Sequence, residues 1–410
     1  MKIAVFTDLY LEVAGGIPSS ISAQKKALEE LGHEVTIFCP GFKTDDKSVV
    51  LVPTMKRLRV NGAPVAQSPR KVVDFVRNKF PVFSQFDIVH VHYEAGCSIA
   101  GVLLAHEFKV PLVQTMHGRE DMAIATNVPH PFKTIAGWGL DFLHGNFLPH
   151  KRVVLRDDEL ANTYAKAAMW TLMVNHANSA DAVITPSQHF KDKLQHYGVS
   201  KPFYVISNAI SDNVLKENFK AAGMDYEKPK TREYDGKSPL KLFWSSRVSK
   251  EKRIMPFLEA LRLTKTPFMM EVYGDGNDLN RAKKYVKKHN LKVRFYGRID
   301  HTKMLERMRE AQMAVVVSYG FDNQPMTILE AVSMGLPTLI CDPDLVEVTG
   351  KGGLVASGPT PEEMAKALDE LLVRPEKLEE LSQKCLDDRE RVLQSVQIEK
   401  LIKLYRSLVK

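Results

Sequence analysis

Short runs of apolar, mostly β-branched residues alternate along the chain with longer amphipathic stretches. In the first half, residues 3–6 form a strand-like run, and residues 19–31 have helical spacing that ends at Gly32. The further strands predicted in this half are residues 34–38, 88–92, 112–115 and 182–185. Because helical stretches separate these runs, we expect the strands to be parallel and to belong to βαβ units.

The same rhythm restarts after a polar stretch at residues 216–239, which has the composition of a loop or linker. The strands predicted beyond it are residues 241–244, 268–272, 293–295, 314–317 and 338–341. The chain is therefore predicted to be an α/β protein with two doubly wound, Rossmann-like domains that face a cleft. We place the first domain at residues 1–205 and the second at residues 206–389.

Composition narrows the class of protein further. The chain has 410 residues, of which 44% are hydrophobic and 26% charged, and this excludes long disorder. Lys and Arg number 57 against 49 Asp and Glu, and the net charge of +8 leaves an anionic partner open: nucleotide, nucleic acid or acidic membrane surface.

Cysteine usage and hydropathy indicate the compartment. The four cysteines show neither C-x-x-C nor Cys/His spacing, so they indicate neither a zinc site nor a disulfide framework. The first apolar run meets Asp8 before a signal-peptide core forms, and no 18 consecutive residues are apolar. We therefore expect a cytoplasmic protein that does not span a membrane.

Two segments that follow predicted strands have the composition of phosphate-binding loops. Gly15 and Gly16 lie between the first strand and first helix, where glycines allow a backbone to approach a phosphate closely. The spacing is not G-x-G-x-x-G, which does not favour a nicotinamide enzyme, and an ordinary loop also explains it. Arg247 and Lys252 belong to a basic run after a strand, which is either a diphosphate site or a solvated turn.

A loop rich in Gly and Pro at residues 318–331 contains two acids separated by seven residues. Asp322 lies in the loop, and Glu330 lies two turns further on, at a predicted helix start. Two such carboxylates can bind different hydroxyl groups of one sugar ligand. An acid near a helix N-terminus is, however, also favoured by the helix dipole alone.

The order and spacing of these motifs resemble the large retaining glycosyltransferase family four, which has the GT-B fold, over nearly the whole chain. The matching elements of the first half are residues 15–16, 32–35, 90–92, 115–118 and 207–210. Those of the second half are residues 246–252, 274–276, 295–298, 322–330 and 335–337. In related folds the C-terminal helix, here about residues 390–410, packs back on the first domain.

The resemblance implies roles for the residues nearest the reaction. Arg247 and Lys252 would bind the donor diphosphate, and Gly15 and Gly16 would close over it from the first domain. His117 would lie beside the reacting sugar, although a histidine in a loop can instead cap a strand end.

Other positions would bind the rest of the donor. Glu330 would hold the ribose hydroxyls, and Asp322 with its neighbouring backbone would hold the hexose. Asp322 stands where the family usually has Glu, so it is one methylene shorter. The remaining donor-binding residues that the resemblance implies are Asn323, Gln324 and Pro325, with Gly297 and Arg298 at the nucleobase.

The family's chemistry is transfer of a hexose from a nucleotide-sugar with retention of anomeric configuration, and UDP-glucose is preferred here over GDP-mannose. Cations and a helix N-terminus can stabilise the charge that develops on the leaving diphosphate, so neither a metal nor another cofactor is expected. The sequence Asp342-Pro343-Asp344 spells D-x-D, which binds metal in the other main glycosyltransferase fold. It is interpreted here as a loop.

The start of the chain is similar to the subgroup that glycosylates diacylglycerol and related lipids. The similarity covers residues 6–11 and 15–17, and Glu12 stands where that subgroup commonly has Pro. Asp8 and Tyr10 are therefore predicted to lie on the acceptor side. The predicted partners are a nucleotide-sugar donor and a lipid or lipid-linked acceptor.

Two segments have the composition of membrane-surface helices. A helix at residues 70–80 would place its valines on one side and its basic residues mostly elsewhere, so it would lie in an anionic interface or pack on its own sheet. Residues 132–143 mix aromatic with basic residues, as interfacial, acceptor-binding or core-covering segments do. The cations assigned to a membrane surface are Arg70, Lys71, Arg77 and Lys79.

The prediction that follows is a glycosyltransferase on the cytoplasmic face of a membrane. A soluble transferase with an oligosaccharide or small-molecule acceptor, and a sugar-nucleotide binder without turnover, would share every donor motif. A nucleic-acid-binding protein would explain the charge, but the chain shows no helix-turn-helix or finger spacing.

Overall fold

The computed structural model describes residues 1–11, 15–60, 63–128, 132–149, 151–153 and 160–409. These residues divide into two compact α/β units. The first contains residues 1–207 and the C-terminal residues from Ile398 onward, and the second contains residues 208–397. The polar stretch 216–239, interpreted above as a loop or linker, belongs to the second unit, and its first residues are helical.

The strands of the first unit are β1 (Lys2–Thr7), β2 (Glu34–Cys39), β3 (Val49–Leu51), β4 (Thr54–Val60), β5 (Ala63–Ala66), β6 (Ile88–His92), β7 (Leu112–Thr115), β8 (Ala182–Thr185) and β9 (Phe203–Val205). Among the described residues, seven of these strands form a parallel sheet of order β3-β2-β1-β6-β7-β8-β9. Strands β4 and β5 pair separately as an antiparallel hairpin.

The helices of the first unit are α1 (Gly16–Glu30), α2 (Pro69–Lys79), α3 (Gly96–Phe108), α4 (Glu120–Asn127), α5 (Phe132–Gly145), α6 (Tyr164–Ser179) and α7 (Gln188–His196).

The residues of strand β1 are nearly all apolar because of where the strand lies. Ala4 and Phe6 pack into one hydrophobic cluster, and Ile3 and Val5 pack into another. Such a strand is buried on both faces, as parallel sheets require.

The strands of the second unit are β10 (Leu240–Ser245), β11 (Phe268–Tyr273), β12 (Val293–Gly297), β13 (Met313–Val316), β14 (Thr338–Ile340) and β15 (Gly353–Val355). In the described residues they form a parallel sheet of order β12-β11-β10-β13-β14-β15. The helices are α8 (Asp212–Ala221), α9 (Ile254–Leu263), α10 (Leu279–Lys288), α11 (His301–Glu310), α12 (Met326–Ser333), α13 (Val346–Thr349), α14 (Pro361–Val373), α15 (Glu376–Asp387) and α16 (Gln394–Leu408).

The last helix belongs to both units. Helix α16 begins among residues of the second unit, and from Ile398 onward its residues are part of the first. Leu401 and Tyr405 are buried in the first unit's core, and the Tyr405 hydroxyl lies 2.6 Å from Nδ1 of His90 on β6. Within the described residues, no helix combines the length and apolar character needed to cross a membrane.

Each sheet has one point at which the strand order reverses. In the first unit this point lies between β1 and β6, and in the second it lies between β10 and β13. In doubly wound folds, loops that follow the strands at such a point form the ligand crevice. We therefore expect a ligand-binding site at the reversal point of each sheet.

Candidate active site

The reversal point of the second unit brings together a basic loop and an acidic loop. The loop after β10 carries Lys252, and the loop after β13 carries Asp322. The Lys252 ammonium nitrogen lies 2.6 and 2.8 Å from the two carboxylate oxygens of Asp322. The resemblance had assigned these residues to different parts of one ligand, and the structure places them in direct contact.

This ion pair is sheltered from solvent. The side chains of Lys252 and Asp322 are only 17% and 13% exposed. The Ser318 hydroxyl donates to Asp322 at 2.5 Å, and the Phe321 ring centre lies 5.3 Å from the Lys252 ammonium group. An anionic ligand that binds Lys252 must therefore share this ammonium group with Asp322.

Arg247 lies at the open edge of the same loop. Its side chain is exposed, and its guanidinium lies 3.0 Å from the Glu251 carboxylate. The Ser249 hydroxyl donates to the same carboxylate at 2.6 Å, which fixes Glu251 in place. Arg247 is thus positioned loosely and remains accessible to a phosphate.

The Gly274-Asp275-Gly276 motif explains how the basic loop is held. The Val248 N–H donates to the Asp275 carbonyl at 3.0 Å. A Cβ atom on Gly274 would lie 2.0 Å from the Ser246 carbonyl oxygen, and one on Gly276 would lie 2.4 Å from that of Val248. Only glycine permits the two loops to approach this closely.

Glu330 is buried on α12 and pairs with a residue that sequence reasoning missed. Its carboxylate lies 2.8 Å from Nε2 of His301, the first residue of α11. This hydrogen bond raises the pKa of His301 above its ordinary value. Glu330 is the fifth residue of α12, beyond the first turn, so the helix dipole does not account for its position. Gly297 ends β12, and the exposed Arg298 lies three residues before the first residue of α11.

The other predicted donor-binding residues lie in the loop before α12. Asn323 is buried, and the Gln324 side-chain oxygen accepts the Asn208 N–H at 2.8 Å. Pro325 directly precedes the first helical residue. The D-x-D sequence supports this loop, because the Asp342 carboxylate accepts the Gly320 N–H at 2.6 Å and the Asp344 N–H at 3.1 Å.

The predicted reacting histidine lies one strand beyond the reversal point of the first unit. His117 follows β7, and its Nε2 lies 2.8 Å from Nδ1 of His92 at the end of β6. Burial lowers the pKa of His117 to about 4, and burial also lowers the pKa of His92. At neutral pH the pair is therefore uncharged, and one ring donates a hydrogen bond to the other. His117 is partly exposed.

The Asp8 carboxylate makes structural hydrogen bonds within the first unit. Its carboxylate accepts the N–H groups of Cys97 and Ser98, at 2.8 and 3.1 Å, and the Ser98 hydroxyl at 2.9 Å. It therefore caps the N-terminus of α3 and ties the end of β1 to it. Tyr10 is half-buried against the core.

The two glycines of the first predicted phosphate loop lie where α1 begins. Gly15 precedes the helix and Gly16 is its first residue. Both residues are exposed, and none of the atoms that the structure describes comes within 4 Å of the position of a Gly15 Cβ.

The basic helix α2 does not have a free apolar side. Val72, Val73 and Val76 are buried in the core of the first unit, so of the two arrangements considered for this helix the structure shows packing on its own domain. Arg77 is paired with Asp74 and Glu107. The cations Arg70, Lys71, Arg77 and Lys79 are exposed, but the helix cannot insert its valines into a membrane without unpacking.

The profile described as "Glycosyltransferase Family 4" matches residues 14–214, and that described as "Glycosyl transferases group 1" matches residues 227–385. The chain is a glycosyltransferase that combines these two domains. It is 25% identical to an alpha-monoglucosyldiacylglycerol synthase of Streptococcus pneumoniae, over 83% of this chain and 70% of the relative. It is 23% identical to the Acholeplasma laidlawii protein of that name, over 93% of this chain and 91% of the relative.

Solved structures place the transferase in the GT-B fold. A sucrose-phosphate synthase from Thermosynechococcus elongatus superimposes with a TM-score of 0.68 at 15% identity, covering 99% of this chain and 98% of that one. Anabaena HepE in complex with UDP-glucose superimposes with a TM-score of 0.65 at 14% identity, covering all of both chains. The prediction of two α/β domains, each with a parallel sheet, is therefore confirmed, and so is the prediction that the protein is a glycosyltransferase.

Proposed function

We propose that this transferase moves glucose from UDP-glucose to a lipid or lipid-linked acceptor, with retention of anomeric configuration. The similarity to two proteins named as lipid glucosyltransferases supports the acceptor class. The similarity in fold to a protein solved with UDP-glucose is compatible with the donor.

The observation that carries the donor assignment is the convergence at the second unit's reversal point. Lys252 and Arg247 lie on the loop after β10, Asp322 lies on the loop after β13, and Glu330 lies on the helix that follows. We assign the two cations to the diphosphate, Asp322 to the hexose and Glu330 to the ribose. The loop at Gly297 and Arg298 is assigned to the base.

The cations also supply the chemistry of the proposed reaction. As the anomeric carbon–oxygen bond breaks, negative charge develops on the diphosphate, and Lys252 and Arg247 stabilise that charge without needing a metal. Because His117 is neutral at physiological pH, it acts beside the reacting sugar as a hydrogen-bonding group and not as a cation.

Thermal-shift titration tests the donor assignment. UDP should raise the thermal midpoint of the transferase and GDP should raise it less, because a ligand that binds only the folded state stabilises it. Replacing Arg247 with Gln should reduce the shift. An equal shift with GDP, or an unchanged shift in the variant, would contradict the assignment. The anomeric configuration of the product, measured by NMR, tests retention.

We further propose that α5 provides the membrane contact. One side of α5 packs on the buried helix α6, where a Cβ on Gly137 would come within 3.1 Å of Ala165. The opposite side presents large apolar residues to solvent. Their exposed fractions are 59% for Phe132, 64% for Ile135, 57% for Trp138 and 62% for Phe142.

These residues form one stripe, because their positions recur at helical spacing and the Trp138 and Phe142 rings stack at 6.0 Å. Exposed apolar patches of this kind mark interaction surfaces. The basic end of α2 is adjacent, since the Arg70 guanidinium lies 5.8 Å from the ring of Phe147, just after α5. An apolar stripe beside cations is the arrangement that binds an anionic bilayer surface.

Vesicle flotation tests the membrane proposal. Replacing Trp138 and Phe142 together with Ser should lower the bound fraction on anionic vesicles at least tenfold, because each ring buries roughly 100 Å² or more on insertion at about 25 cal/mol per Å². Val373 offers a matched control, since it is 83% exposed in the other unit and its replacement with Ser should change nothing. Equal binding of wild type and double variant, or no preference for anionic vesicles, would contradict the proposal.

We place the reaction on the cytoplasmic face. All four cysteines are buried free thiols, which suits a reducing compartment. A soluble acceptor in place of the lipid would leave donor binding intact and abolish the dependence on vesicles, so the same assays separate the two acceptor classes.

A further inference from the structure

Among the residues that the structure describes, a buried carboxyl group without a hydrogen-bond partner lies at the reversal point of the first unit. Glu94 is the second residue after β6 and is only 3% exposed. Both of its carboxylate oxygens are buried, and within the described ranges neither has a hydrogen-bond partner. Buried polar groups are nearly always paired, because an unpaired one has lost its water without replacement.

The backbone beside Glu94 is also unusual. Tyr93 has a φ of 86°, a left-handed conformation that costs a bulky residue about 1 kcal/mol or more. Glu120, the first residue of α4, lies close enough for its carboxylate to raise the pKa of the Tyr93 hydroxyl well above its ordinary value. Strained residues of this type concentrate where a fold holds side chains for a ligand.

The position of the loop is fixed independently. Asp8 binds the N-terminus of α3, which begins at Gly96, so the short loop between β6 and α3 is held against the end of β1. Glu94 is thus supported by the fold, while its carboxyl group is left without a structural role.

The charge state of Glu94 follows from its surroundings. Burial, and then the neighbouring carboxylates of Glu120 and Asp8, raise its pKa well above the ordinary value. A protonated carboxyl group both donates and accepts a hydrogen bond, and this is the pattern that an alcohol or a pair of adjacent alcohols completes. Burial raises the pKa of Glu120 to about 7, so Glu120 is partly ionised near neutral pH.

We infer that Glu94, supported by Tyr93 and Glu120, forms a subsite that binds the hydroxyl end of the acceptor. The ligand class is a hydroxyl-bearing headgroup, either glycerol or a sugar. The inference rests on the proposed transfer to a lipid acceptor and adds the residues of the first unit that receive it. His92, at the end of β6, bonds to His117 on the loop after β7, so the subsite adjoins the residues assigned to the reacting sugar.

The test compares acceptor use, donor use and stability in two variants, Glu94→Gln and Glu94→Met. In Glu94→Met the KM for the acceptor should rise at least tenfold, whereas Glu94→Gln, whose amide also donates and accepts a hydrogen bond, should keep it within about threefold. The KM for UDP-glucose and the slow hydrolysis of UDP-glucose without acceptor should stay within twofold. The acceptor KM is measured with vesicles that contain diacylglycerol and with vesicles that contain its monoglucosyl derivative. The lipid whose KM changes more shows whether the subsite binds a glycerol or a sugar headgroup.

Stability separates ligand binding from a structural role. Glu94→Met removes an unpaired buried carboxyl group while nearly keeping its volume, so the thermal midpoint should rise by about 2–4 °C. Asp192→Asn, an exposed acid on α7, should change neither stability nor kinetics.

Two results would overturn the inference: an unchanged acceptor KM in Glu94→Met, or a lower thermal midpoint in that variant. If the wild type transfers glucose to neither lipid, the proposed acceptor class fails. The thermal midpoint of Glu94→Met then still separates a ligand-binding from a structural role for Glu94. Removing a carboxyl group that stabilises the fold would lower the midpoint.

Discussion

The contact between Lys252 and Asp322 predicts that two substitutions in one ion pair change UDP affinity in opposite directions. UDP carries the diphosphate but no hexose, so it reports on the charges alone. Asp322→Asn removes a negative charge beside the proposed diphosphate site and frees the Lys252 ammonium group. Lys252→Met removes the cation and leaves the carboxylate facing the phosphates.

The size of the effect follows from the geometry. Two unit charges about 5 Å apart at an effective dielectric constant of about 20 interact by about 3 kcal/mol. Solvent and salt screen part of this, because the pair is sheltered but not fully buried. We therefore expect UDP to bind about tenfold more tightly to Asp322→Asn and at least tenfold more weakly to Lys252→Met.

Transfer should nevertheless fall in both variants. Asp322→Asn loses a proposed contact with the hexose, and Lys252→Met loses charge stabilisation on the leaving diphosphate, for which a loss of about 10²–10³ in kcat is typical. Calorimetric titration with UDP at fixed ionic strength gives the affinities, and initial rates with UDP-glucose give transfer.

The exposed pair Arg262 and Glu259 on α9 supplies the control, and Arg262→Gln should leave UDP affinity unchanged. Weaker UDP binding in Asp322→Asn would refute this competition, since the carboxylate would then support the phosphate site and not compete for its cation.

Two further predictions concern stability. Gly101→Ala should lower the free energy of unfolding by about 1–3 kcal/mol, because the new Cβ would lie 2.6 Å from the Phe6 ring. Gly139→Ala, where no described atom lies within 4 Å of the new Cβ, should be neutral or stabilising. Denaturant unfolding measures both changes, and equal effects would contradict the close packing at Gly101. Because its hydrogen bond to Glu330 raises the pKa of His301 above 6.5, the pair's stabilisation is fully present below that pH and is lost as pH rises through the raised value. His301→Gln should therefore lower the free energy of unfolding more at about pH 5.5 than at about pH 8.5, and a pH-independent difference would contradict this.

The central strands were predictable because of where they lie. Strands such as β1 and β10 are covered on both faces, so they appear in the sequence as continuous apolar runs. The short edge strands β3, β9 and β15, each of three residues, leave too brief a pattern to detect. The β4–β5 hairpin was missed, although the Asn61-Gly62 dipeptide between its strands is a recognised hairpin signal; those two residues lie outside the described ranges.

The candidate site was predictable as a set of residues but not as a set of contacts. Lys252 and Asp322 are 70 positions apart, and only the sheet order places their loops side by side. His301 carries no motif of its own, and its pairing with Glu330 depends on how α11 packs. Glu94 shows no sequence signal either, because its distinguishing property is burial without a hydrogen-bond partner in the described part of the chain.

Transfer of label from UDP-[¹⁴C]glucose measures the proposed reaction itself. The transferase is incubated with anionic vesicles that contain diacylglycerol, and with a soluble polyol or sugar acceptor in a parallel reaction. We expect label in the extracted lipid, at a rate that falls at least a hundredfold in Lys252→Met. Label confined to the soluble acceptor, or a lipid product formed equally well by that variant, would contradict it.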